Sequence, residues 1–383
     1  MTQPRNFGFG EDEQLLRDTA RKFLADHFGI ETLRRLVARD HREAYESDLA
    51  PAHWDEKLWK QMVDLGWTAL AVPEAAGGAG MKMVAVAALA EEAGRVALVS
   101  PLITTLYATC VLREASGPVA NAALQRVVGG EAAAPAITNN DGSWEPGDTD
   151  VTAVAQGDAF ELTGNANFVQ DARKVSWFVV SARSAAGVGL FAVDADAPGL
   201  SLLPDHIVDL TRDQARLSFD CVRVPVDRVL AAPGRGADVI ARALPALLTI
   251  AAADQVGAGE WQLQTTAAYA QIRTQFDRPL GFFQAVKHPI VNMMLAVDRA
   301  RSLMYAAACA IDSEPEHAER FARMAKASAS DMAAFSSSRS VQLHGGIGFT
   351  WECDVHLYFK RQQHNRALYG DGAYHRAKLA ELV

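Results

Sequence analysis

The periodicity of apolar residues changes twice along the chain, and no other feature of the sequence constrains the fold as much. Over residues 11–129 apolar residues recur at three- and four-residue steps, which is the spacing of one helix face. The first of these stripes consists of Leu15, Leu16, Ala20, Phe23 and Leu24. The pattern predicts an N-terminal helical domain over residues 1–130.

A second pattern covers residues 131–230. Short segments rich in β-branched and aromatic residues, such as KVSWFVVSAR, are separated by Gly, Asp and Pro at a spacing of roughly ten residues. This pattern predicts a central antiparallel β-domain. Helical periodicity then returns over residues 231–383, and the longest stretch begins near Gly236 and is ended by Pro279 and Gly281. The order of helices, strands and helices predicts an α+β multidomain fold.

Composition excludes several classes of function. The 383 residues carry a net charge of -9 with no block of consecutive Lys or Arg, so we expect neither a nucleic-acid nor a membrane partner. The four cysteines are scattered without a C-x-x-C spacing, so we expect reduced thiols and no metal site. The N-terminal segment MTQPRNFGFGEDEQLL lacks the apolar core of a signal peptide, and the apolar run Ala243 to Ala253 is too short to span a bilayer. We therefore expect a cytoplasmic protein.

A glycine-rich segment, QLHGGIGFTWECD, interrupts the helical pattern from Gln342 to Asp354. Glycine is commonest where a helix ends, so one interpretation is a helix C-cap followed by a turn. Glycine also lets a ligand approach the backbone closely because it has no Cβ. The pattern by itself leaves both interpretations open.

Two segments of the C-terminal half resemble the signature segments of the acyl-CoA dehydrogenase family. They read RTQFDRPLGFFQAVKH, from Arg273 to His288, and QLHGGIGF, from Gln342 to Phe349. Three further segments resemble the family in the same order, namely LWKQMVDLGWTALAVPEAAGGAGM, LTGNANFVQDARKVSWFVVSAR and VPVDRVLAAPGRGADV. The resemblance covers nearly the whole chain.

The resemblance implies a helical N-domain, a central β-domain and a C-terminal four-helix bundle, with FAD at a dimer contact and usually a dimer of dimers. It also implies an activity. The flavin takes a hydride from the β-carbon of an acyl-CoA while a carboxylate removes the α-proton, giving a 2-enoyl-CoA. An electron-transfer flavoprotein or a similar acceptor then reoxidises the flavin.

The resemblance further implies that one end of the C-terminal domain binds the adenosine diphosphate part of a FAD belonging to the neighbouring subunit. A guanidinium suits bidentate contact with pyrophosphate oxygens, and a Gln amide can both donate and accept. The residues that match this part of the family's site are Arg273, Gln275, Phe276, Gln284, Gln342, Gly345 and Gly346.

The flavin side departs from the family pattern. The segment AITNNDGSWEPGDTD lacks the family's Gly-rich, Ser-containing motif, and Phe168-Val169-Gln170 replaces its Trp-x-Thr. Phe168 can still stack on a flavin and the Gln170 amide can still donate to it. The alternative is that Phe168 is simply a core residue.

The catalytic base also departs from the pattern. The position of the family's usual Glu is Tyr369 in RALYGDG, and the alternative position on an earlier helix is Leu247. A phenol with a pKa near 10 is about one part in a thousand ionised at neutral pH, so Tyr369 is a poor base. Asp371 lies two residues on and is a weak candidate, although it more readily caps the loop.

Three interpretations follow. The chain is a self-sufficient FAD-dependent acyl-CoA dehydrogenase with an unrecognised base, or it is the base-lacking subunit of a heteromer with a paralogous chain. Such heteromers occur among actinobacterial members that act on steroid or other bulky acyl-CoA side chains. The third interpretation is a non-redox scaffold that binds acyl-CoA or a nucleotide. An intact adenosine side beside an altered flavin side favours the heteromeric subunit.

Overall fold

The structure, a computed structural model, describes residues 3–37, 52 and 54–382. Its first part is helical, as the periodicity predicts. The helices are α1 (Glu11–His27), α2 (Ile30–Val37), α3 (Glu56–Asp64), α4 (Met83–Arg95), α5 (Leu102–Ala115) and α6 (Pro118–Val128). Ala20 and Leu24 of the first apolar stripe are buried, but Leu15 is 67% exposed. The inclusion of Leu15 was wrong because α1 buries only a narrow face, which packs against α4.

The middle of the chain forms one large twisted sheet. Its strands are β1 (Ala133–Ala136), β2 (Asp150–Gln156), β3 (Ala159–Gln170), β4 (Trp177–Ser184), β5 (Gly187–Asp194), β6 (Leu200–Pro204), β7 (Gln214–Pro225) and β8 (Val229–Ala231). The strand order is β6-β7-β3-β2-β4-β5-β8, with β1 paired to β4. Most pairings are antiparallel, as predicted, but β1 and β2 each run parallel to β4. The sheet is therefore mixed.

The last part is helical again, with α7 (Gly236–Ile272), α8 (Gln284–Ser313), α9 (Pro315–His344), α10 (Val355–Ala367) and α11 (Gly372–Glu381). The sequence pattern had extended α7 to Pro279, whereas the helix ends at Ile272. Residues 274–279 instead form a short hairpin of β9 (Thr274–Gln275) and β10 (Arg278–Pro279). Its two turn residues, Phe276 and Asp277, both have positive φ, which a helix does not allow.

Helix α7 is the centre of the molecule and contacts α4, α5, α8 and α9. It approaches α4 very closely. A Cβ on Gly94 would lie 2.2 Å from the Asp254 carbonyl oxygen, and one on Gly257 would lie 1.9 Å from the Glu91 carbonyl oxygen. Among the described residues α7 is the one helix long and apolar enough to cross a membrane, and 72% of its most apolar window is buried inside the protein. Because most of this window is buried inside the protein, α7 is a core helix.

The elements change from helix to strand between Val128 and Ala133, and back to helix between Ala231 and Gly236. The first domain boundary predicted from the sequence, after residue 130, lies in the first of these connections. The second, after residue 230, lies one residue before the end of β8. Residues 1 and 383, which end the predicted domains, lie outside the described residues.

Candidate functional site

The residues predicted to contact adenosine diphosphate lie on segments that meet at one end of the helical bundle. Arg273 follows the end of α7, Gln284 begins α8, and Gln342 lies in the last turn of α9. The ends of α7 and α9 are held together by side chains. Tyr269 stacks on His344 with ring centroids 4.3 Å apart, and one turn earlier Thr266 Oγ1 donates to Ser340 Oγ at 2.8 Å.

The polar side chains at this end of the bundle are available to an outside group. Four of them are exposed and, within the described residues, form no side-chain hydrogen bond or ion pair; they are Arg273, Gln275, Gln284 and Gln342. Phe276, at the tip of the hairpin, is 84% exposed. An Arg, three amides and an exposed aromatic ring at one end of a bundle can bind an anionic, ring-bearing ligand. We refer to the surface formed by Arg273, Gln275, Phe276, Gln284, Gln342, Gly345 and Gly346 as the bundle-end surface.

The glycines in this segment have different structural roles. Gly345 has φ +66° directly after α9, and its N–H bonds to the Gln342 carbonyl oxygen, so a helix C-cap accounts for it. Gly348 is packed closely, because a Cβ there would lie 2.8 Å from the Val341 carbonyl oxygen. A Cβ on Gly346 would meet nothing within 4 Å, and Gly346 is not among the glycines with positive φ. The fold of the chain itself therefore does not require glycine at position 346.

The residues predicted on the flavin side lie at the far end of β3. Phe168 has φ +56° at an irregularity in the β3–β7 pairing and is 38% exposed, so it is not a fully buried core residue. Gln170 is buried and its amide is fully used. Gln170 Nε2 donates to the Phe168 carbonyl oxygen at 3.1 Å and to Gln214 Oε1 at 2.7 Å, while its Oε1 accepts from His364 Nε2 at 2.8 Å. In this arrangement the amide has no hydrogen left for another acceptor.

The position of the usual base lies inside an aromatic cluster. Tyr369 is 5% exposed, and its ring centroid lies 5.0 Å from that of Tyr107 and 4.8 Å from that of Trp144. Burial raises the pKa of Tyr369 well above the ordinary value of 10, and Tyr107 adds to the rise. Tyr369 is therefore a neutral phenol at any physiological pH.

Little space remains beside this cluster. The cavity there has a volume of about 10 Å³, room for about one water molecule. Its lining residues are Thr104, Tyr107, Pro135, Ile137, Thr138, Trp144, Phe168, Gln170, Leu368 and Tyr369. None of them has a carboxylate. We call this space the aromatic cavity.

The other two candidate positions for a base are engaged elsewhere. Leu247 is completely buried within α7. Asp371 is the N-cap of α11, where its Oδ1 accepts from the N–H groups of Ala373 at 3.0 Å and Tyr374 at 2.9 Å. The bond from Tyr374 is the main cause that lowers the pKa of Asp371. Its carboxylate thus stabilises a helix start.

A larger groove lies further along the same face of α5. It has a volume of about 500 Å³ and is bounded by α5, the first turns of α7 and the start of α9. Cys110 lines it, one helical turn beyond Tyr107, so the groove and the aromatic cavity follow one another along α5. Its floor is apolar, with Ala243 and Pro245, and Arg113 lies among its polar residues. An apolar chain with a charged end fits such a groove.

Sequence reasoning missed the residues that fix the loop around Tyr369. The buried Lys326 on α9 donates from Nζ to the carbonyl oxygens of Gly370 at 2.8 Å and Arg366 at 3.2 Å. Burial lowers the pKa of Lys326 to about 7. His375 Nε2 donates to the Tyr369 carbonyl oxygen at 2.9 Å, and burial lowers the pKa of His375 to about 3. Neither residue belongs to a recognisable motif, so only the three-dimensional structure reveals them.

A buried ion-pair cluster ties the sheet to the helices. Asp254 on α7 pairs with Arg212, which precedes β7, and accepts from Arg361 Nη2 on α10 at 2.7 Å. Burial raises the pKa of Asp254, but Arg212 and Arg361 more than offset this, so the net effect is a lowered pKa. Arg361 Nη1 also donates to Thr211 Oγ1 at 3.0 Å. Within residues 3–37, 52 and 54–382, no group of three or more His, Cys, Asp or Glu is placed to hold a metal ion.

Comparison with known proteins identifies the family. Residues 10–131 match the family description "Acyl-CoA dehydrogenase, N-terminal domain", and residues 234–383 match "Acyl-CoA dehydrogenase, C-terminal domain". The chain belongs to the acyl-CoA dehydrogenase family. Members of this family are oxidoreductases that act on CH–CH bonds and bind FAD.

Several acyl-CoA dehydrogenases are similar over nearly the whole chain. "Acyl-CoA dehydrogenase IpdE2" of Mycobacterium tuberculosis (strain ATCC 25618 / H37Rv) is 32% identical over 92% of this chain and 91% of its own length. A variant of the Tcur3481-Tcur3483 steroid ACAD, whose structure has been solved, is 30% identical, with a TM-score of 0.86 and 98% of both chains covered. The ChsE4-ChsE5 complex from Mycobacterium tuberculosis also has this fold, at 24% identity, a TM-score of 0.86 and 98% coverage of both chains.

The acyl-CoA dehydrogenase cofactor fits only part of this chain. The bundle-end surface offers uncommitted polar side chains and open space at Gly346, as a nucleotide requires. The aromatic cavity, with about 10 Å³ left beside Trp144 and Tyr369, has no room for a flavin ring. The residues predicted on the adenosine side and those predicted on the flavin side therefore differ in the space they leave for a ligand.

Proposed function

We propose that this chain is the subunit of a heteromeric FAD-dependent acyl-CoA dehydrogenase that completes the cofactor site of a paralogous partner. The partner would supply the flavin pocket and the carboxylate base for the α,β-dehydrogenation of an acyl-CoA to a 2-enoyl-CoA. The observation that carries the proposal is the contrast between the open bundle-end surface and the closed aromatic cavity of the same chain.

On the bundle-end surface, each residue has a physical role towards the adenosine diphosphate of FAD. The Arg273 guanidinium would pair with pyrophosphate oxygens, because its planar fork of donors matches them and no side chain in the described part of the chain bonds to it. The Gln342 and Gln284 amides would bind the neighbouring polar atoms, and Gly346 would let the backbone approach. FAD, when bound, supplies the acceptor for the hydride from the substrate β-carbon.

The aromatic cavity supports a non-catalytic role for this chain's own site. A general base must accept the substrate's α-proton at hydrogen-bonding distance, and burial keeps the Tyr369 phenol neutral. Asp371 caps α11, and Leu247 has no proton acceptor. These positions argue against the self-sufficient enzyme.

The likeness to a steroid ACAD supports a bulky acyl-CoA, such as a steroid side-chain thioester, as the substrate of the assembled enzyme. The ChsE4-ChsE5 complex, although it shares only the fold, supports assembly from two different chains. The groove of about 500 Å³ beside Cys110 supports the alternative of a chain that binds acyl-CoA without redox chemistry. We place the complex in the cytoplasm, with an electron-transfer flavoprotein or a similar acceptor.

The test is to purify the chain alone and with a co-expressed, Glu-bearing paralogue, and to measure FAD per chain and turnover of a panel of acyl-CoAs. We expect turnover from the complex and at least a hundredfold less from the chain alone. Within the complex, Arg273→Ala should lower FAD content several-fold, because it removes a charge-assisted contact with pyrophosphate. Tyr369→Phe is the matched control and should leave turnover unchanged. Full turnover by the chain alone, lost in Asp371→Asn, would refute the proposal.

A further inference from the structure

Within the segment that joins β1 to β2, residues 138–149 form a compact strap with its own hydrogen bonds. Gly142, at φ +72°, closes a turn in which its N–H donates to the Asn139 carbonyl oxygen at 3.2 Å. Ser143 Oγ donates to Asp148 Oδ2 at 2.6 Å. These two bonds lie within the strap, but its ends are bonded to the sheet. Asn167 N–H donates to the Thr138 carbonyl oxygen at 2.9 Å, and Thr149 Oγ1 donates to the Ser181 carbonyl oxygen at 2.8 Å. Movement of the strap is therefore confined to its middle part, around Trp144 and Glu145.

The strap inserts one side chain into the aromatic cavity. Its Trp144 lies against Tyr369, with ring centroids 4.8 Å apart and planes inclined by 53°. Trp144 is partly buried and lines the cavity together with Thr138. The indole therefore fills space that would otherwise be continuous with the cavity of about 10 Å³.

The next residue of the strap holds it to the C-terminal helices. Glu145 Oε1 accepts from Tyr374 Oη at 2.8 Å and from Lys378 Nζ at 2.8 Å, and both partners lie on α11. The bond from Lys378 is the main cause that lowers the pKa of Glu145. Among the described residues, these are the side-chain hydrogen bonds that join the strap to the C-terminal helices. We call this pair of contacts the latch.

We propose that the strap is a gate over the aromatic cavity, and that the latch between Glu145 and α11 holds the gate shut with Trp144 inside. Glu145 and Lys378 are both partly exposed, at 41% and 24% of the side chain, so the latch is weak enough to open without unfolding the sheet. The inference deepens the proposed function, because it says what keeps this chain's own cavity closed.

The gate is tested by hydrogen exchange of the amides of residues 140–149 and by hydroxyl-radical labelling of Trp144, both read by mass spectrometry. Glu145→Ala removes both bonds of the latch. We expect exchange in the strap to become about tenfold faster and Trp144 labelling to rise several-fold. Trp177 in β4, which is completely buried, is the internal control and should stay unlabelled.

Glu381→Gln is the matched control variant. Glu381 Oε2 lies 3.4 Å from the same Lys378 Nζ, but Glu381 is not in the strap. Hydrogen exchange of the strap amides in the Glu381→Gln variant should therefore match that of the wild type. If Glu145→Ala does not fold, Tyr374→Phe and Lys378→Met remove the latch one bond at a time and should each give a part of the effect. Unchanged strap exchange, or faster exchange that extends equally to β4, would overturn the gate. Neither measurement needs the partner subunit, so the gate and the heteromer can fail separately.

Discussion

At the scale of single residues, buried and exposed ion pairs differ in how much the removal of one partner destabilises the fold. Asp254 has 1% of its side chain exposed and is shared by Arg212 and Arg361, which are 3% and 0% exposed. Asn365 Nδ2 donates to the same carboxylate. Removing the carboxylate leaves two buried guanidinium groups without the ion-pair partner that they share, and this costs more than the pair itself contributes.

We predict that Asp254→Asn lowers the free energy of unfolding by about 3–5 kcal/mol, the usual cost of breaking a buried pair from one side. Asp158→Asn is the control, because its pair with Arg223 is 83% and 63% exposed and should contribute less than about 1 kcal/mol. Urea unfolding of the two variants and the wild type makes the comparison. Equal losses in both variants would contradict the argument.

The residues of the bundle-end surface could be proposed from the sequence because they lie in two short segments whose order matches a family. The sequence also showed that position 369 is not an acid. It could not show that Trp144 and Tyr107 surround Tyr369, because these three residues lie on different elements far apart in the chain. It likewise gave no sign that Gln170 would be held by Gln214 and His364, since amide partners depend on tertiary contacts.

At the scale of elements, Lys326 joins α9 to the end of α10 and the loop before α11. A helix leaves its last carbonyl groups without partners, and Lys326 Nζ reaches two of these, on Asn365 at 3.3 Å and on Arg366 at 3.2 Å. It also binds the Gly370 carbonyl oxygen at 2.8 Å, just after Tyr369. One buried ammonium therefore fixes the loop that carries Tyr369.

The burial of Lys326 should make the free energy of unfolding depend on pH. Burial lowers the pKa of Lys326 from 10.5 to about 7, so between these pH values the unfolded chain binds a proton that the folded chain lacks. We therefore compare the free energy of unfolding of the wild type with that of Lys326→Met. The difference between the two should rise by about 1.4 kcal/mol per pH unit in the middle of the range between pH 7 and pH 10.5. Below pH 7 both states bind the proton and the difference should be flat.

Urea unfolding at pH 6, 7.5 and 9 measures this difference. Lys287→Met, at an exposed lysine near the start of α8, is the control and should parallel the wild type at all three pH values. A difference between wild type and Lys326→Met that does not change from pH 7.5 to 9 would mean that Lys326 keeps its proton when buried.

The predicted element types agree closely with the structure where the periodic segment is long, as in α7 to α9. A long segment with apolar residues at a 3.6-residue period buries its apolar face only as a helix. The hairpin of β9 and β10 was missed for the opposite reason. Its six residues are too short for periodicity, and its positive-φ positions are occupied by Phe276 and Asp277 where a turn would ordinarily use Gly or Asn. The parallel pairings of β4 with β1 and β2 depend on chain crossings, which no local pattern records.

At the scale of the whole molecule, the bundle-end surface and the aromatic cavity lie on different regions of the chain and differ in accessibility. The bundle-end surface is exposed and includes apolar residues, such as Phe276 at 84% exposure, and Ile272 beside it is 78% exposed. The aromatic cavity is closed by the strap and by the loop that Lys326 holds. A chain built in this way can serve a neighbour's cofactor while its own cavity stays shut.

Substitutions at Gly346 and Gly348, which lie in one segment, distinguish nucleotide binding from folding. Gly346→Val should leave the melting temperature of the isolated chain within about 2 °C of the wild type, because a Cβ there meets nothing within 4 Å. In the complex with a paralogue it should lower FAD content several-fold, because the added side chain fills the space that the nucleotide needs. Gly348→Val should instead lower the melting temperature of the isolated chain. A Cβ at position 348 would lie 2.8 Å from the Val341 carbonyl oxygen and 3.0 Å from His344 Cβ. Thermal unfolding of each isolated variant and flavin absorbance of each purified complex give the two readouts. Normal FAD content in a complex that carries Gly346→Val would show that position 346 faces only solvent, and the nucleotide contact would then have to lie elsewhere on the chain.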